Sequence, residues 1–392
     1  MKKDQFFLPD GLIYLDGNSL GPLPRKAEQR VAEMMRNEWG NLLIKGWNKA
    51  QWMQQPEVLG DRVGKLIGAP AGTTVIGDTL SIKVYQALAS ALRLCPDRKI
   101  VLSDAGNFPS DLYMAKGLID QLNAGHELKV VEPEAVEDSL SQDVGVLMLT
   151  QVDYRTGRMH DMNGLTRKAQ DMGILVIWDL AHSAGALPVD VTGCNAEIAV
   201  GCTYKYLNAG PGAPAFIYVR PDLIASIEPA LAGWLGHDSP FAFERDYRPA
   251  EGIGRMRVGT PSVIQMAALE TALDIWDDVA IDEVRQKSMQ LCDLFIEQVE
   301  RKCPQVGLAS PRDASQRGSQ VSLTFHEGYA VVQALIARGV IGDFREPDMM
   351  RFGFAPLFIE ESDVIGAVDI LQDIMFNRLW DRDEYKVRAP VT

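Results

Sequence analysis

Residues 174–182 read ILVIWDLAH, and residues 198–210 read IAVGCTYKYLNAG. Each stretch opens with an unbroken apolar run, the pattern of a strand buried on both faces rather than one. Each run also ends in residues that can do chemistry, Asp179 and His182 after the first, Tyr204 and Lys205 after the second. Similar short runs occur at Lys99–Leu102, Gly145–Leu149 and Phe216–Val219, separated by segments able to hold helices, such as Ser81–Leu94. Strands alternating with helices predict an α/β fold with a parallel or mostly parallel sheet. In such sheets ligands gather beyond the carboxyl ends of the strands, so the residues that follow each run are the first candidates for a site.

Outward from this region, Arg25 to Trp39 places Ala27, Val31, Met34 and Met35 at helical spacing, and Leu42 to Gln55 reads as loop with a short helix. Val263–Lys302 carries one long helical pattern (Met266, Leu269, Leu273, Trp276), a bridge to a further unit. Beyond Cys303 the order is strand (Gln320–Phe325), helix (Tyr329–Arg338), strand and terminal helix (Glu361–Leu379), which predicts a smaller α+β domain. The expected division is an N-terminal arm and helix over 1–45 packing with the small domain, a large α/β domain over 46–275 and the small domain over 276–392.

The 392 residues suit two or three domains at roughly 150 residues each. Hydrophobic residues make up 46% and charged residues 23%, which excludes a disordered chain. A net charge of −14 disfavours nucleic acid and anionic membrane as partners, since both need a cationic footprint. No apolar run approaches the about 18 residues of a membrane span, and MKKDQFFLPDGL lacks a signal-peptide core. Five scattered cysteines without CxxC spacing indicate neither a disulfide framework nor a zinc site, so a reducing, cytoplasmic setting is expected and no metal.

Four strand ends supply complementary groups. Asp78-Thr-Leu80-Ser81 stands at a helix start, and Asn107-Phe108-Pro109-Ser110-Asp111, Asp179-Leu-Ala-His182 and Tyr204-Lys205 follow other runs. These are the parts that pyridoxal 5'-phosphate requires. A lysine forms the Schiff base, and a carboxylate keeps the pyridine nitrogen protonated so that the ring can draw electrons. The phosphate wants a helix N-terminus, for which Ser81 is placed, and Phe108 can cover a ring face. Asp179 and Lys205 follow consecutive strands, so a βαβ-type step would bring them together.

Asp-x-x-His with a lysine about two dozen residues on resembles the fold-type I enzymes of the cysteine desulfurase-like, class V aminotransferase group. More closely, Tyr14-Leu-Asp-Gly-Asn18-Ser-Leu-Gly21, Asn107-Phe-Pro-Ser-Asp111, Tyr154-Arg-Thr-Gly157, Asp179-Leu-Ala-His182 and Tyr204-Lys205-Tyr-Leu-Asn-Ala-Gly210 together resemble the kynureninase family. Gly233-Trp234 and Gly259-Thr260-Pro261 extend the match, and Arg351 lies in a stretch similar to that family's end, so nearly the whole chain is covered.

The resemblance implies fold type I, with a mostly parallel seven-stranded sheet between helices and a smaller α+β domain. It implies hydrolysis of L-kynurenine to anthranilate and L-alanine in tryptophan catabolism, leaving open 3-hydroxykynurenine as a second substrate and NAD biosynthesis as the destination. Carried over by position, Lys205 is the Schiff-base lysine, Asp179 the pyridinium partner, His182 a support for the ring system and Tyr204 the acid that protonates Cβ. Leu80, Ser81, Phe108, Pro109, Ser110, Asp111 and Thr150 would line the cofactor. Trp234 and Thr260 would reach it from the neighbouring subunit of a homodimer. Arg351 would grip the substrate α-carboxylate, with Asn18 and Trp47 as further substrate contacts. The alternative is a cysteine desulfurase or selenocysteine lyase, which needs a reactive cysteine on a mobile loop. The late cysteines, Cys292 and Cys303, fall instead within or at the end of a helical pattern.

Overall fold

The computed structural model describes residues 1–388. Apart from the short antiparallel pair Phe6–Phe7 and Leu23–Pro24, its strands in chain order are β1 (Ile13–Tyr14), β2 (Thr74–Ile76), β3 (Ile100–Asp104), β4 (Glu127–Val131), β5 (Val144–Thr150), β6 (Leu175–Asp179), β7 (Ile198–Gly201) and β8 (Phe216–Val219), then β9 (Gly307–Leu308), β10 (Gln320–Thr324), β11 (Val340–Ile341), β12 (Asp343–Arg345) and β13 (Met349–Gly353). The longer helices are α1 (Arg25–Glu33), α2 (Gln55–Leu66), α3 (Leu80–Leu94), α4 (Pro109–Leu122), α5 (Met162–Asp171), α6 (Val263–Asp274), α7 (Ile281–Lys302), α8 (Gly328–Ile336) and α9 (Glu361–Phe376).

Seven strands form one sheet in the order β2-β8-β7-β6-β5-β3-β4. Only β8 runs against the rest, pairing antiparallel with both β2 and β7. Alternate residues of the central strands enter two different cores. Leu147, Leu149, Val176, Trp178 and Phe216 pack on one side. Val146, Met148, Ile177, Val200 and Ile217 pack on the other. A sheet covered on both faces is what unbroken apolar runs demand, since no position along the strand sees water.

The expected runs coincide with β3, β5, β6, β7 and β8 to within two residues at any end. β4 was not among them. It is the edge strand, and Glu127, Lys129 and Val130 are exposed or half-exposed, so it carries no continuous apolar signal. The single helical pattern over 263–302 is corrected to two helices, α6 and α7. Ile275 and Trp276 are buried in the core, and turns through 275–280 interrupt the helix without a Gly or Pro to announce it. The βαβ-type step expected between Asp179 and Lys205 is also corrected. β6 and β7 are parallel neighbours, but residues 180–197 join them by successive turns with no helix.

The second sheet, β9-β10-β13-β12, is antiparallel and is covered by α7 and α8, against which α9 packs in turn. β1 pairs parallel with β11, which ties the N-terminal arm to this C-terminal unit. No helix among the described residues is long and apolar enough to cross a membrane.

Candidate active site

The carboxyl ends of β5, β6 and β7 place the central groups side by side. Thr150 and Asp179, the last residues of β5 and β6, are register partners, and Lys205 follows β7 next to them. A cavity of about 220 Å³ opens over these ends. It is lined by Leu80, Ser81, Phe108, Ser110, Asp111, Thr150, Asp179, His182, Tyr204 and Lys205 from the large sheet, and by Asn18, Arg345 and Arg351 from the other unit. Pro109 opens α4 beneath Phe108 and presets its first turn.

Lys205 Nζ lies 2.9 Å from His182 Nε2 and faces the rings of Phe108 and Tyr204 at 5.8 and 5.9 Å. Burial, aided by the Lys205 charge, holds His182 well below the ordinary histidine range, so its neutral ring accepts from the lysine. Asp179 Oδ1 accepts from the Ala181 backbone N–H at 2.8 Å. Asp111 and Asp179 are neighbouring carboxyls within the buried floor. Burial raises both, and the Asp179 charge raises Asp111 further, while Lys205 and Ala181 pull Asp179 back down. Of the two, Asp111 is pushed further toward its neutral form and Asp179 is held closer to its charged one. Burial likewise pushes the Tyr204 phenol far above its usual value, with Cys202 and the two carboxylates adding to the rise.

Two helix N-termini meet at the cavity wall. Thr79, not Ser81, caps α3, its hydroxyl accepting from Ile82 N at 3.5 Å. The reading of Ser81 as the residue that opens the helix is thereby corrected, and its hydroxyl is free for another role. Ser81 Oγ sits 2.9 Å from Ser110 Oγ in the first turn of α4. Unpaired first-turn N–H groups and two helix dipoles thus converge on one spot, which favours a phosphate-sized anion. Asp111 Oδ2 and His182 Nδ1 are buried here with no hydrogen-bond partner among the described residues. Orphaned polar atoms beside a carboxylate, an amine and an anion cradle fit pyridoxal phosphate.

The quoted motifs have packing reasons. Gly21 N donates to Tyr204 O at 2.7 Å, and a Cβ on Gly21 would stand 2.4 Å from Asn208 Oδ1 and 2.6 Å from Lys205 O. The GNSLG turn therefore lies flat against the lysine loop. Asn18, fully buried, donates to Gln320 Oε1 at 3.1 Å, across to β10. Gly157 takes φ +72° where its turn meets Gln320, a conformation that suits glycine.

Trp47, Trp234 and Thr260 do not reach this cavity within one chain. Trp47 and Thr260 share an apolar cavity of about 550 Å³ with Trp39, Trp52 and Val263. Trp234 is 40% exposed and packs edge-on against Phe241. Conversely, Ser19, Tyr154, Asp343 and Arg345 belong to the site and carried no assignment from sequence. Asp343 holds Arg351 through Nε at 2.6 Å and through Nη2, while Ser19 Oγ donates to Asp343 at 2.7 Å and Tyr154 O accepts from Arg351 Nη1. Asp343 stands opposite Arg351 in the β12–β13 pair, and Arg345 is two residues on, on the same face. An Asp-x-Arg ahead of a further arginine becomes a signal only once the hairpin register is known.

Residues 284–371 match the family model described as kynureninase C-terminal domain. A kynureninase of Pseudomonas fluorescens is 47% identical over 100% of this chain and 95% of its own. One from Burkholderia pseudomallei (strain 1106a) matches at the same identity and coverage. Among solved structures, the apo cysteine desulfurase of Thermococcus onnurineus NA1 superposes with TM-score 0.81 at 17% identity, covering 96% of this chain and 97% of that one. A lysine mutant of C-DES, with glycine covalently linked to its PLP cofactor, gives 0.81 at 19% over 95% and 99% of the two chains. At such identities these likenesses speak for the fold alone.

Proposed function

The chain belongs to the kynureninase family, hydrolases that depend on pyridoxal 5'-phosphate, and from that premise we propose which of its own residues carry the cleavage of L-kynurenine to anthranilate and L-alanine. The bound cofactor supplies an electron sink joined to the substrate Cα. Lys205 Nζ would hold it, and that amine is the base placed to take the Cα proton. Asp179, drawn toward its charged form by Lys205, would hold the proton on the ring nitrogen. His182 stays neutral and receives hydrogen bonds rather than competing as a cation. Ser81, Ser110 and the first turn of α3 would hold the phosphate, and Leu80, Phe108, Pro109 and Thr150 would line the ring. A water adds its oxygen to the γ-carbonyl, and as the Cβ–Cγ bond breaks Cγ leaves as the anthranilate carboxylate while Tyr204, held protonated by its surroundings, delivers a proton to Cβ.

Arg351 and Asn18 meet the α-carboxylate. Trp234 and Thr260 complete the phosphate side from a second copy of the chain, and Trp47 reaches the substrate from that same copy. Exposed Trp39, Ile44, Phe241 and Phe243 support such a partner, since apolar surface of this kind marks an interface. In this reading residues 46–275 carry the cofactor, and residues 1–45 and 276–392 supply the carboxylate grip, in a cytoplasmic homodimer. The observation that carries it is the Lys205–His182 contact beside the Asp179–Asp111 pair, roofed by Arg351. Anthranilate fluorescence on adding L-kynurenine to cofactor-loaded protein tests it, with 3-hydroxykynurenine and L-cysteine assayed alongside. Lys205→Ala should lower turnover by at least about 10²- to 10⁴-fold and abolish borohydride-fixed cofactor on that residue. Normal turnover in that variant, or sulfide from cysteine in place of anthranilate, would sink the assignment.

A further inference from the structure

Arg351 is 2% exposed and has five N–H donors, most of them already committed. Nε and one Nη2 hydrogen go to Asp343, the other Nη2 hydrogen to Ser19 Oγ at 3.0 Å and one Nη1 hydrogen to Tyr154 O. A single Nη1 hydrogen remains. A carboxylate held by a guanidinium fork needs two parallel N–H groups on one edge. The Nε–Nη2 edge is taken by Asp343, and the Nη1–Nη2 edge is shared with Ser19 and Tyr154. Arg351 is thus oriented firmly but offers an arriving anion only part of a fork.

Arg345 lines the same cavity and has the opposite profile. Its side chain is 34% exposed, with Nη2 at 2.8 Å from Asp343 Oδ2 and Nη1 donating to Phe344 O at 2.7 Å. Three of its five N–H groups carry no bond to the described residues. Asp343 is 5% exposed and pairs with both guanidiniums. Although burial works to raise it, the bonds from Arg351 and the charge of Arg345 hold its carboxyl below the usual range, so it stays ionised between them. One carboxylate facing two arginines leaves a local excess of positive charge beside Lys205.

We propose that Arg345 is a second residue contacting the substrate α-carboxylate, sharing it with Arg351, and that Asp343 is the positioning residue that holds the two guanidiniums on one face of the β12–β13 hairpin. This rests on the reading that the amino-acid carboxylate enters beside Arg351. Arg351 supplies orientation and its one remaining donor, and Arg345 supplies the donors that Arg351 has spent. The same arrangement predicts selection for amino acids over the corresponding amines, because two desolvated cations without a ligand carboxylate repel one another.

The test compares L-kynurenine with its decarboxylated amine, the latter as a competitive inhibitor, on cofactor-loaded Arg345→Gln, Arg345→Lys, Arg351→Gln and Asp343→Asn proteins. Arg345→Gln should raise KM for L-kynurenine roughly 10- to 100-fold with kcat within a few-fold of the parent, and leave the inhibition constant of the amine unchanged. Arg345→Lys should fall between, since it restores charge without the fork. Asp343→Asn should weaken L-kynurenine through both arginines and again spare the amine. An unchanged KM in Arg345→Gln, or an equal loss of affinity for the amine, overturns the proposal. So does a KM increase that disappears at high salt, which would make Arg345 an entry-steering charge. If Arg351→Gln alone loses discrimination against the amine, this inference fails and the carboxylate reading stands. Discrimination surviving in both glutamine variants would remove that reading as well.

Discussion

Charge in this site is set by which carboxyl is left without a cation. Asp343 is paired with two arginines, Asp179 accepts a backbone N–H and feels the Lys205 charge, and Asp16 has no cation at bonding distance. Burial and the neighbouring Asp343 charge push Asp16 from 3.8 up to about 7, against the pull of Ser19, Arg351 and Arg345. Its Oδ1 is buried and unpartnered among the described residues. A raised carboxyl is neutral in the fold where it would be charged in the unfolded chain. Its penalty on folding is therefore absent below about pH 3.8, grows as pH rises and is complete above about 7. Below about 7 the arginine pair faces the substrate with Asp343 alone to offset it, and above about 7 a second carboxylate competes. KM for L-kynurenine should accordingly rise as pH passes through about 7 in the parent and stay flat across it in Asp16→Asn. Steady-state kinetics from pH 6 to 8.5 on the two proteins check this, and a retained step in Asp16→Asn would assign the titration elsewhere.

At the scale of elements, the site is a meeting of strand ends, helix starts and one flat turn. Parallel strands place Thr150, Asp179 and the Lys205 loop in a row because their carboxyl ends point the same way. The turn over 16–21 keeps that loop in place from the other side through the Gly21 N–H to Tyr204 O bond. Gly21→Ala puts a methyl into backbone that cannot yield, with Lys205 O at 2.6 Å and Asn208 Cα at 2.6 Å. Overpacking of this kind costs about 1–3 kcal/mol, and here it also displaces the lysine. The variant should unfold at lower temperature and lose at least about tenfold in kcat, because a misplaced reacting group is penalised steeply. Thermal denaturation with kinetics on the same sample checks both, and an unchanged kcat would show that the loop does not depend on this contact.

The molecule as a whole divides the lining of the cavity between two sheets. The second sheet brings Arg351 and Arg345 over the first, while Trp234 and Thr260 remain outside their own cavity. If those two act on a second copy, a Lys205→Ala chain mixed with a Trp234→Ala/Thr260→Ala chain should regain activity that neither has alone. Random pairing would make half the dimers mixed, each with one intact site, so the recovery should approach about a quarter of the parent rate. Refolding the two variants together and assaying anthranilate checks this. No recovery, with dimers present by light scattering, would mean that each chain builds its site alone.

Much of this was legible along the chain. Continuous apolar runs can be buried only between two covered faces, so the α/β sheet follows from ILVIWD, IAVG and FIYV by themselves. The groups after those runs could be read as a cofactor site, because a lysine, a carboxylate and a helix start in that order serve one chemistry. Local pattern could not show the edge strand β4, whose half-exposed residues give no run, nor the break between α6 and α7, which is made by core packing without Gly or Pro. It could not show Asp343 and Arg345 either. Their meaning lies in a cross-strand register, Asp343 opposite Arg351, that only the folded hairpin sets. Nor could it apportion charge among Asp16, Asp111, Asp179 and Asp343. Composition decides that a carboxyl is present, but burial and the distance to a cation decide whether it is ionised, and both are properties of the tertiary structure.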